Sequence, residues 1–186
     1  MKTGEELWIS DGGEKEYCCT IESFEEEEVI LHILYAQEPE YELPGKIYLF
    51  QGLPKADKME LIIQKAVELG AYSVVPVATK RCVVKLDGAK AEKKTARWQQ
   101  IAESAAKQSK RMLVPEVHSV MKFKDALSLA KELDVCLVPY ELAKGMKETK
   151  ALIEKIEPGQ SIGIFIGPEG GFEEEEIQMA IEAGAM

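Results

Sequence analysis

The sequence contains few of the residues and patterns that mark membrane-bound, disulfide-rich or metal-dependent proteins. Its 186 residues include four cysteines and two histidines, and the spacing of these residues fits no metal-binding motif. No apolar run approaches the roughly 20 residues needed to cross a bilayer, and the N-terminus lacks the apolar core of a signal peptide. These absences predict a cytoplasmic protein with reduced, unpaired cysteines, no bound metal and no membrane partner.

Several common catalytic patterns are missing as well. The turn GLPKAD at residues 52–57 lacks the G-x-G-x-x-G spacing of a dinucleotide site, and no glycine-rich loop leads into a Walker-type lysine. Neither histidine can be placed in a Ser-His-Asp or Cys-His arrangement. One alternative function is that of a doubly wound protein that binds a nucleotide at a glycine-rich loop. The sequence does not support a hydrolase with a catalytic triad.

What the sequence does contain is a strong segregation of charge. The net charge is -10, with 46% hydrophobic and 30% charged residues, as in an ordinary globular protein. Residues 1–45 hold 13 acidic and 2 basic side chains, whereas residues 80–111 hold 10 basic and 3 acidic ones. Because a polyanion responds to the local field, the basic segment predicts a phosphate-bearing partner despite the acidic total.

The pattern of apolar residues changes near residue 45. Residues 5–36 show three aromatic and β-branched runs separated by turns, which predicts a β-meander. After a Pro- and Gly-containing linker, short apolar runs alternate with helical stretches, which predicts an α/β domain with a parallel sheet. The predicted domains are 1–45 and 46–186. The predicted strands of the second domain are 46–51, 72–78, 134–140 and 161–167, and its helices are 55–69, 90–110, 144–156 and 173–183.

The loop IGPEGGF, residues 166–172, is the most informative local feature. It follows an apolar strand, and its three glycines, Gly167, Gly170 and Gly171, allow positive φ angles and close approach of the backbone to a ligand. Five nearby carboxylates disfavour a triphosphate and favour a neutral or cationic ligand: Glu169, Glu173, Glu174, Glu175 and Glu176. A tight turn before an acidic helix start explains the same residues without any ligand.

The basic segment places a stripe of cations on one predicted helix face, formed by Lys90, Lys93, Lys94 and Arg97. Trp98 lies beside the stripe and is able either to pack or to stack. Such a stripe would neutralise several phosphates, although a solvated helix face is an equally good interpretation. Cations at the start of an earlier helix, Lys55 and Lys58, hint at an anion there.

Five segments in chain order resemble one known family. They are GLPKADKMELIIQKAVELGA, RCVVK, KKTARWQQIAESAAKQSKR, VPEV and IGPEGGFEEEEI. The sequence from about Tyr48 to Gly184 resembles the bacterial methyltransferases that modify N3 of a uridine in 16S ribosomal RNA, which belong to the knotted SPOUT class. The N-terminal meander resembles part of the small PUA-like β-barrel that precedes the catalytic domain in that family.

The resemblance implies S-adenosylmethionine as methyl donor, a homodimer, and 16S rRNA or the small ribosomal subunit as acceptor. The residues it implies for donor binding are Tyr140, Glu141, Ile166, Gly167, Pro168, Gly170 and Gly171. The residues it implies for RNA binding are Lys55, Lys58, Arg81, Lys85, Arg97, Gln108 and Arg111, to which the charge stripe adds Lys93 and Lys94. Glu169 is the candidate acid or base near the transferred methyl, with a backbone role for its loop as the alternative.

Family members extend beyond the equivalents of Met1 and Gly184. The resemblance therefore implies that this chain is a fragment in which the barrel is partial and the knot is incomplete. The competing function is a non-catalytic RNA-binding protein of the same fold that lacks the donor pocket.

Overall fold

A computed structural model describes residues 1–12, 15–38, 42–86, 88–140 and 146–186, the side chains of 146–149 excepted. The chain forms two compact units. The first comprises Met1–Glu42 with Lys110–Val114, and the second comprises Leu43–Ser109 with Pro115–Met186. Residues 110–114 group with the first of these units although they lie far from it in the sequence.

The first unit contains an antiparallel sheet of three strands. They are β1 (Glu6–Ser10), β2 (Glu16–Phe24) and β3 (Val29–Gln37), in the order β1-β2-β3. This confirms the predicted meander. Cys18 pairs in register with Trp8 and Tyr35, whereas Cys19 pairs with Leu7 and Ile33, so the two thiols point to opposite faces of the central strand and are both buried.

Residues 110–114 are tied to the first unit by Glu42. The guanidinium of Arg111 donates from Nε to a Glu42 carboxylate oxygen over 3.1 Å, and the Met112 amide donates to the other oxygen over 2.9 Å. Only 6% of the Arg111 side chain is exposed. The structure thus places Arg111, predicted to face RNA, against an internal carboxylate that occupies its hydrogen-bonding fork.

The second unit alternates strands and helices around a parallel sheet. Its elements are β4 (Lys46–Gly52), α1 (Lys58–Glu68), β5 (Ser73–Ala78), α2 (Gly88–Gln108), β6 (Glu116–Val117), β7 (Met121–Lys122), α3 (Phe123–Ala130), β8 (Val135–Leu137), α4 (Met146–Ile153), β9 (Ser161–Ile166) and α5 (Glu174–Glu182). The strand order is β6-β5-β4-β9-β8, and β7 also pairs with β5. Every one of these pairings is parallel, which confirms the α/β prediction.

Helices cover both faces of this sheet, as a parallel sheet requires. On one face, buried residues of α1 and α2 pack with Val74: Met59, Ile63, Val67, Trp98 and Ala102. On the other face, buried residues of α3 and the α5 region pack with Val75: Phe123, Ala126, Phe172 and Ala180. Trp98 is 4% exposed and therefore packs in the core rather than stacking on a ligand.

The segment from 116 to 130 was not predicted. Strands β6 and β7 have two residues each, too short to show a period of two, and α3 has only eight. Leu69, the C-cap residue of α1, is 78% exposed, because it lies on a different side of the helix from the buried residues Met59, Ile63 and Val67. Gly70, with φ +97°, follows the C-cap.

Candidate functional site

The strand order reverses between β4 and β9. From β4 the chain proceeds outward to β5 and β6, whereas β9, the last strand, returns to pair with the other side of β4. In open α/β sheets, ligands bind beyond the carboxyl ends of the strands at such a reversal. The loops that follow β4 and β9 therefore form the candidate site, with the loop after β5 beside them.

A buried amide joins the ends of β4 and β9. Gln51 is 4% exposed, and its Nε2 donates to the Gly52 carbonyl over 2.9 Å, with longer contacts to the carbonyls of Ile166 and Gly167 at 3.5 and 3.4 Å. A Cβ on Gly52 would lie 2.6 Å from Cδ of Pro168. The glycine thus allows the two loops to meet closely.

The glycine loop, defined as residues 166–172, turns sharply at its end. Gly171 has φ +68°, and its amide donates to the Pro168 carbonyl over 2.8 Å. A Cβ on Gly167 would lie 3.0 Å from the Gly171 backbone. Of the three glycines that could adopt positive φ, Gly171 does so, whereas Gly167 and Gly170 do not.

Glu169 anchors the glycine loop to the loop after β4. Its carboxylate accepts from the Lys55 amide and from Lys58 Nζ, each over 3.1 Å. A hydrogen bond from its own backbone, followed by that from Lys58, lowers the pKa of Glu169. Ala56 between the two lysines has φ +52°, an unfavourable angle for a residue with a Cβ. The strained turn presents the Lys55 amide and Lys58 to Glu169.

Arg81, in the loop after β5, contacts the glycine loop and the start of α5. Its Nη1 donates to the Gly170 carbonyl over 2.7 Å, while Nε and Nη2 donate to the Glu173 carboxylate over 3.0 and 3.3 Å. The hydrogen bond from Arg81 lowers the pKa of Glu173. Arg81 is thus engaged by protein groups at the position where the resemblance implied an RNA contact.

Lys80 adds two further links between the same segments. Its amide donates to the buried carboxylate of Glu176 over 2.9 Å, and its Nζ pairs with Glu175. The hydrogen bond with Glu175 raises the pKa of Lys80. Glu176 also accepts from the Glu173 amide and completes a capping box with Glu173, so α5 begins at Glu174, close to the predicted start at 173.

These links change the expected electrostatics of the glycine loop. Three of its five carboxylates, on Glu169, Glu173 and Glu175, pair with Lys58, Arg81 and Lys80. The argument that uncompensated negative charge repels a phosphate is therefore weaker than the sequence indicated. The backbone geometry of the loop, rather than its charge, carries the case for a ligand here.

The remaining residues predicted for donor binding lie at the same end of the sheet. Ile166 ends β9 and is 38% exposed, Pro168 is buried, and Tyr140 is partly buried in the segment after β8. Glu141 lies outside the described residues. The structure thus brings Ile166, Gly167, Pro168, Gly170 and Gly171 together in one loop.

Predicted RNA-binding residues of α2 lie on its exposed side. Lys94 and Arg97 approach Asp57 and Glu60 at 3.6 and 3.5 Å. Both distances are long for ion pairs between exposed groups, which contribute little. Lys85, Lys93 and Gln108 are exposed as well. A polar groove of ≈730 Å³ lies along this side, lined by Gln64, Arg97, Gln100, Ser104, Lys107 and Gln108.

Three residues of the site were not predicted as binding or catalytic residues: Gln51, Lys80 and Glu176, of which Glu176 was noted only as one of the carboxylates near the loop. Gln51 did carry a signal, since it is the polar residue that ends an otherwise apolar strand. Among the described residues, no group of three or more metal-ligating side chains occurs. Within that same part of the chain, no helix is long and apolar enough to cross a membrane.

The chain is similar to known RNA methyltransferases. Residues 41–186 match the model of an RNA methyltransferase domain. The chain is 38% identical over 185 residues to ribosomal RNA small subunit methyltransferase E of Bacillus subtilis, covering 98% of this chain and 72% of that protein.

Two solved structures are also similar over the whole chain. One, described as a hypothetical protein, has a TM-score of 0.92 and 37% identity, with 74% of its chain covered. The other is ribosomal RNA small subunit methyltransferase E from Neisseria gonorrhoeae bound to S-adenosyl methionine, with a TM-score of 0.78, 33% identity and 75% coverage. This chain belongs to the ribosomal RNA small subunit methyltransferase E family of RNA methyltransferases.

Proposed function

We propose that this protein transfers a methyl group from S-adenosylmethionine to N3 of a uridine in 16S rRNA of the small ribosomal subunit. The observation that carries the proposal is the glycine loop at the β4/β9 reversal, held by contacts to the loops after β4 and β5. The related Neisseria enzyme was solved with S-adenosyl methionine. The uridine N3 position rests on the family resemblance in the sequence motifs.

The glycine loop suits the proposed donor chemically. Gly170 is exposed and Gly171 is partly exposed, and the exposed side chain of Ile166 offers apolar surface beside them. Tyr140 and Glu141 in the segment after β8 are proposed to complete the donor site. When bound, S-adenosylmethionine supplies an electrophilic methyl group, and its positive sulfonium tolerates the nearby carboxylate of Glu169.

The RNA is proposed to lie along exposed basic residues of the second unit, Lys55, Lys58, Lys85, Lys93, Lys94 and Arg97, together with the exposed amide of Gln108. Arg111 is left out because it is buried against Glu42. Lys94 and Arg97 have only long ion pairs, and Lys85 and Lys93 are exposed, so these cations are available to phosphates. Lys58 would have to exchange Glu169 for a phosphate. Release of counterions would make binding salt-dependent.

Uridine N3 carries a proton at neutral pH, so the reaction needs a base, a donor group that stabilises the developing anion, or both. Glu169 is poorly suited as that base, since its lowered pKa weakens it and two hydrogen-bond donors already occupy its carboxylate. We assign Glu169 to holding the loop. Positioning the flipped base against the methyl then supplies the larger share of the acceleration.

The family resemblance supports four further parts of the proposal. The second unit would form the trefoil knot of the SPOUT class, and the first unit would belong to a PUA-like barrel. The active form would be a homodimer, and the reaction would take place in the cytoplasm, where bacterial ribosomes are assembled.

The direct test combines donor binding with mapping of the product. Calorimetric titration with S-adenosylmethionine, with ATP as the control ligand, is expected to show binding of the donor alone. Incubation of small subunits with methyl-labelled donor is expected to label one uridine at N3. Transfer to another base or position would refute the assignment, and RNA binding without any donor binding would favour the non-catalytic RNA-binding alternative.

A further inference from the structure

The contacts of Arg81 go beyond what an RNA-binding role requires. We propose that Arg81 is a positioning residue that fixes the glycine loop for the methyl donor. The inference rests on the proposed function, because it takes that loop as the donor site. It assigns to Arg81 a role within the protein in place of the RNA contact implied by the family resemblance.

The first argument is the placement of the two groups that Arg81 binds. Gly170 precedes the positive-φ turn at Gly171, and Glu173 is the N-cap of α5. One guanidinium therefore spans the end of the loop, with Nη1 on the Gly170 carbonyl and Nε and Nη2 on the Glu173 carboxylate. A rigid fork of this kind fixes two acceptors relative to each other, which a lysine cannot do.

The second argument is the packing of the Arg81 side chain. A Cβ on Gly170 would lie 3.4 to 3.9 Å from Cδ, Cβ and Cγ of Arg81, so the stem of the arginine covers this glycine. The segment that carries Arg81 is fixed in turn, because the Lys80 amide donates to the buried carboxylate of Glu176. The backbone next to Arg81 and its guanidinium are thus both fixed by hydrogen bonds.

The third argument is the entropy of the loop. Three glycines in five residues give an unrestrained loop many conformations, and a ligand would have to select one of them. Restraining the loop before the ligand arrives removes that cost from binding. Arg81 acts at the end of the loop near α5, and Glu169 acts in its middle through Lys55 and Lys58.

The test uses Arg81→Met, Arg81→Lys and Glu173→Gln in the full chain, with Lys65→Met as the matched control. Lys65 also forms an exposed ion pair, with Glu68 on α1. Calorimetry gives the dissociation constant of S-adenosylmethionine. Steady-state kinetics give separate KM values for donor and RNA, and hydrogen exchange reports on the Gly171 amide in the donor-free protein.

We expect Arg81→Met to weaken donor binding about tenfold, because the variant loses one or two charge-assisted hydrogen bonds at a partly exposed site. KM for the donor should rise with it, while KM for RNA and its salt dependence stay unchanged. The Gly171 amide should exchange faster. Arg81→Lys should bind the donor more tightly than Arg81→Met, and Glu173→Gln should lower donor affinity by less than Arg81→Met does. A variant that combines Arg81→Met with Glu173→Gln should bind the donor no more weakly than Arg81→Met alone. Lys65→Met should change none of these values.

Three results would overturn the proposal. Donor affinity at the wild-type value, together with a raised KM for RNA, would make Arg81 an RNA contact. Faster exchange throughout the second unit would make its role one of general stability. Unchanged exchange at Gly171 would show that Arg81 does not hold the loop, and this readout remains decisive even if the wild-type protein fails to bind S-adenosylmethionine and the proposed function falls.

Discussion

Two groups of cations in the second unit differ in what they contact. At the start of α1 and in the loop after β5, Lys58, Lys80 and Arg81 pair with carboxylates of the glycine loop and of the N-terminal end of α5. On α2, Lys94 and Arg97 reach carboxylates only at 3.5 Å or more, and Lys93 is exposed. Within the basic stretch 80–111, cations thus hold a loop in one place and face solvent in another. Positive charge in a sequence does not show which charges remain available to RNA.

The largest effect is expected at a third kind of cation, the buried Arg111. Arg111→Met leaves the carboxylate of Glu42 without its partner, and breaking a buried ion pair costs about 3 kcal/mol. Denaturant unfolding should show a destabilised first unit, and the Met112 amide should exchange faster. Arg97→Met is the matched control and should change stability by less than about 1 kcal/mol. Equal effects of the two variants would contradict the distinction between buried and exposed arginines.

The next largest effect is expected when the glycine loop itself is displaced while the cations around it are left unchanged. Gly52→Ala places a Cβ within 2.6 Å of Pro168 and should displace the loop, at a cost of about 2 kcal/mol in donor affinity. Calorimetry with S-adenosylmethionine measures the loss, and thermal unfolding confirms that the variant is folded. Gly88→Ala is the control, since a Cβ on Gly88 would meet no atom of the described residues within 4 Å, and Gly88 lies outside the glycine loop. A fully active Gly52→Ala variant would show that close contact between these loops is not needed.

Charge reversal on α2 tests whether its cations are available to RNA. Changing Lys93, Lys94 and Arg97 together to glutamate should weaken RNA binding about tenfold and lower the log–log salt slope by about 0.9 for each lost phosphate contact. Lys80→Met is the comparison, because Lys80 pairs with Glu175 and should leave the slope unchanged. An unchanged slope in the triple variant would show that this helix face is merely solvated.

A smaller effect is expected when Glu169 loses its charge. Glu169→Gln retains an acceptor for the Lys55 amide, so kcat should fall by less than about threefold, whereas loss of a general base lowers kcat by roughly 10² to 10⁴. Single-turnover kinetics with saturating donor and RNA measure the chemical step. A fall of a hundredfold with unchanged donor affinity would restore Glu169 as the catalytic base.

The smallest effect concerns pH. Since the pKa of Glu173 is lowered by Arg81, their interaction stabilises the folded state above the ordinary value of 4.5 and is lost as pH falls through the lowered pKa. Carboxyl NMR titration should show the Glu173 pKa moving back up in Arg81→Met. Lys65→Met should leave it in place. A Glu173 pKa that is the same in all three proteins would show that Arg81 does not interact with it in solution.

Local sequence predicted most elements of the fold. All three strands of the first unit and the four longer strands of the parallel sheet were located from apolar periodicity, as were α1, α2, α4 and α5 to within a few residues. The glycine loop was found because it lies between an apolar strand and an acidic helix start. By contrast, β6 and β7 have two residues each and are too short to show a period, and α3, although as long as α4, follows β7 directly with no turn residue to mark its start. Their stability comes from packing on β5, which no local pattern records.

The sequence by itself therefore determined the α/β class, the position of the glycine loop and, through its motifs, the methyltransferase family, because each of these depends on residues close together in the chain. Tertiary structure alone decided which charges are paired. Glu42 and Arg111 are 69 residues apart, and Arg81 and Glu173 are 92 apart. Ion pairs form between groups that the fold brings within a few ångströms, and the strength of each depends on its burial. For that reason the number of cations can be read from the sequence, whereas the ones that stabilise the folded protein can be identified only in the structure.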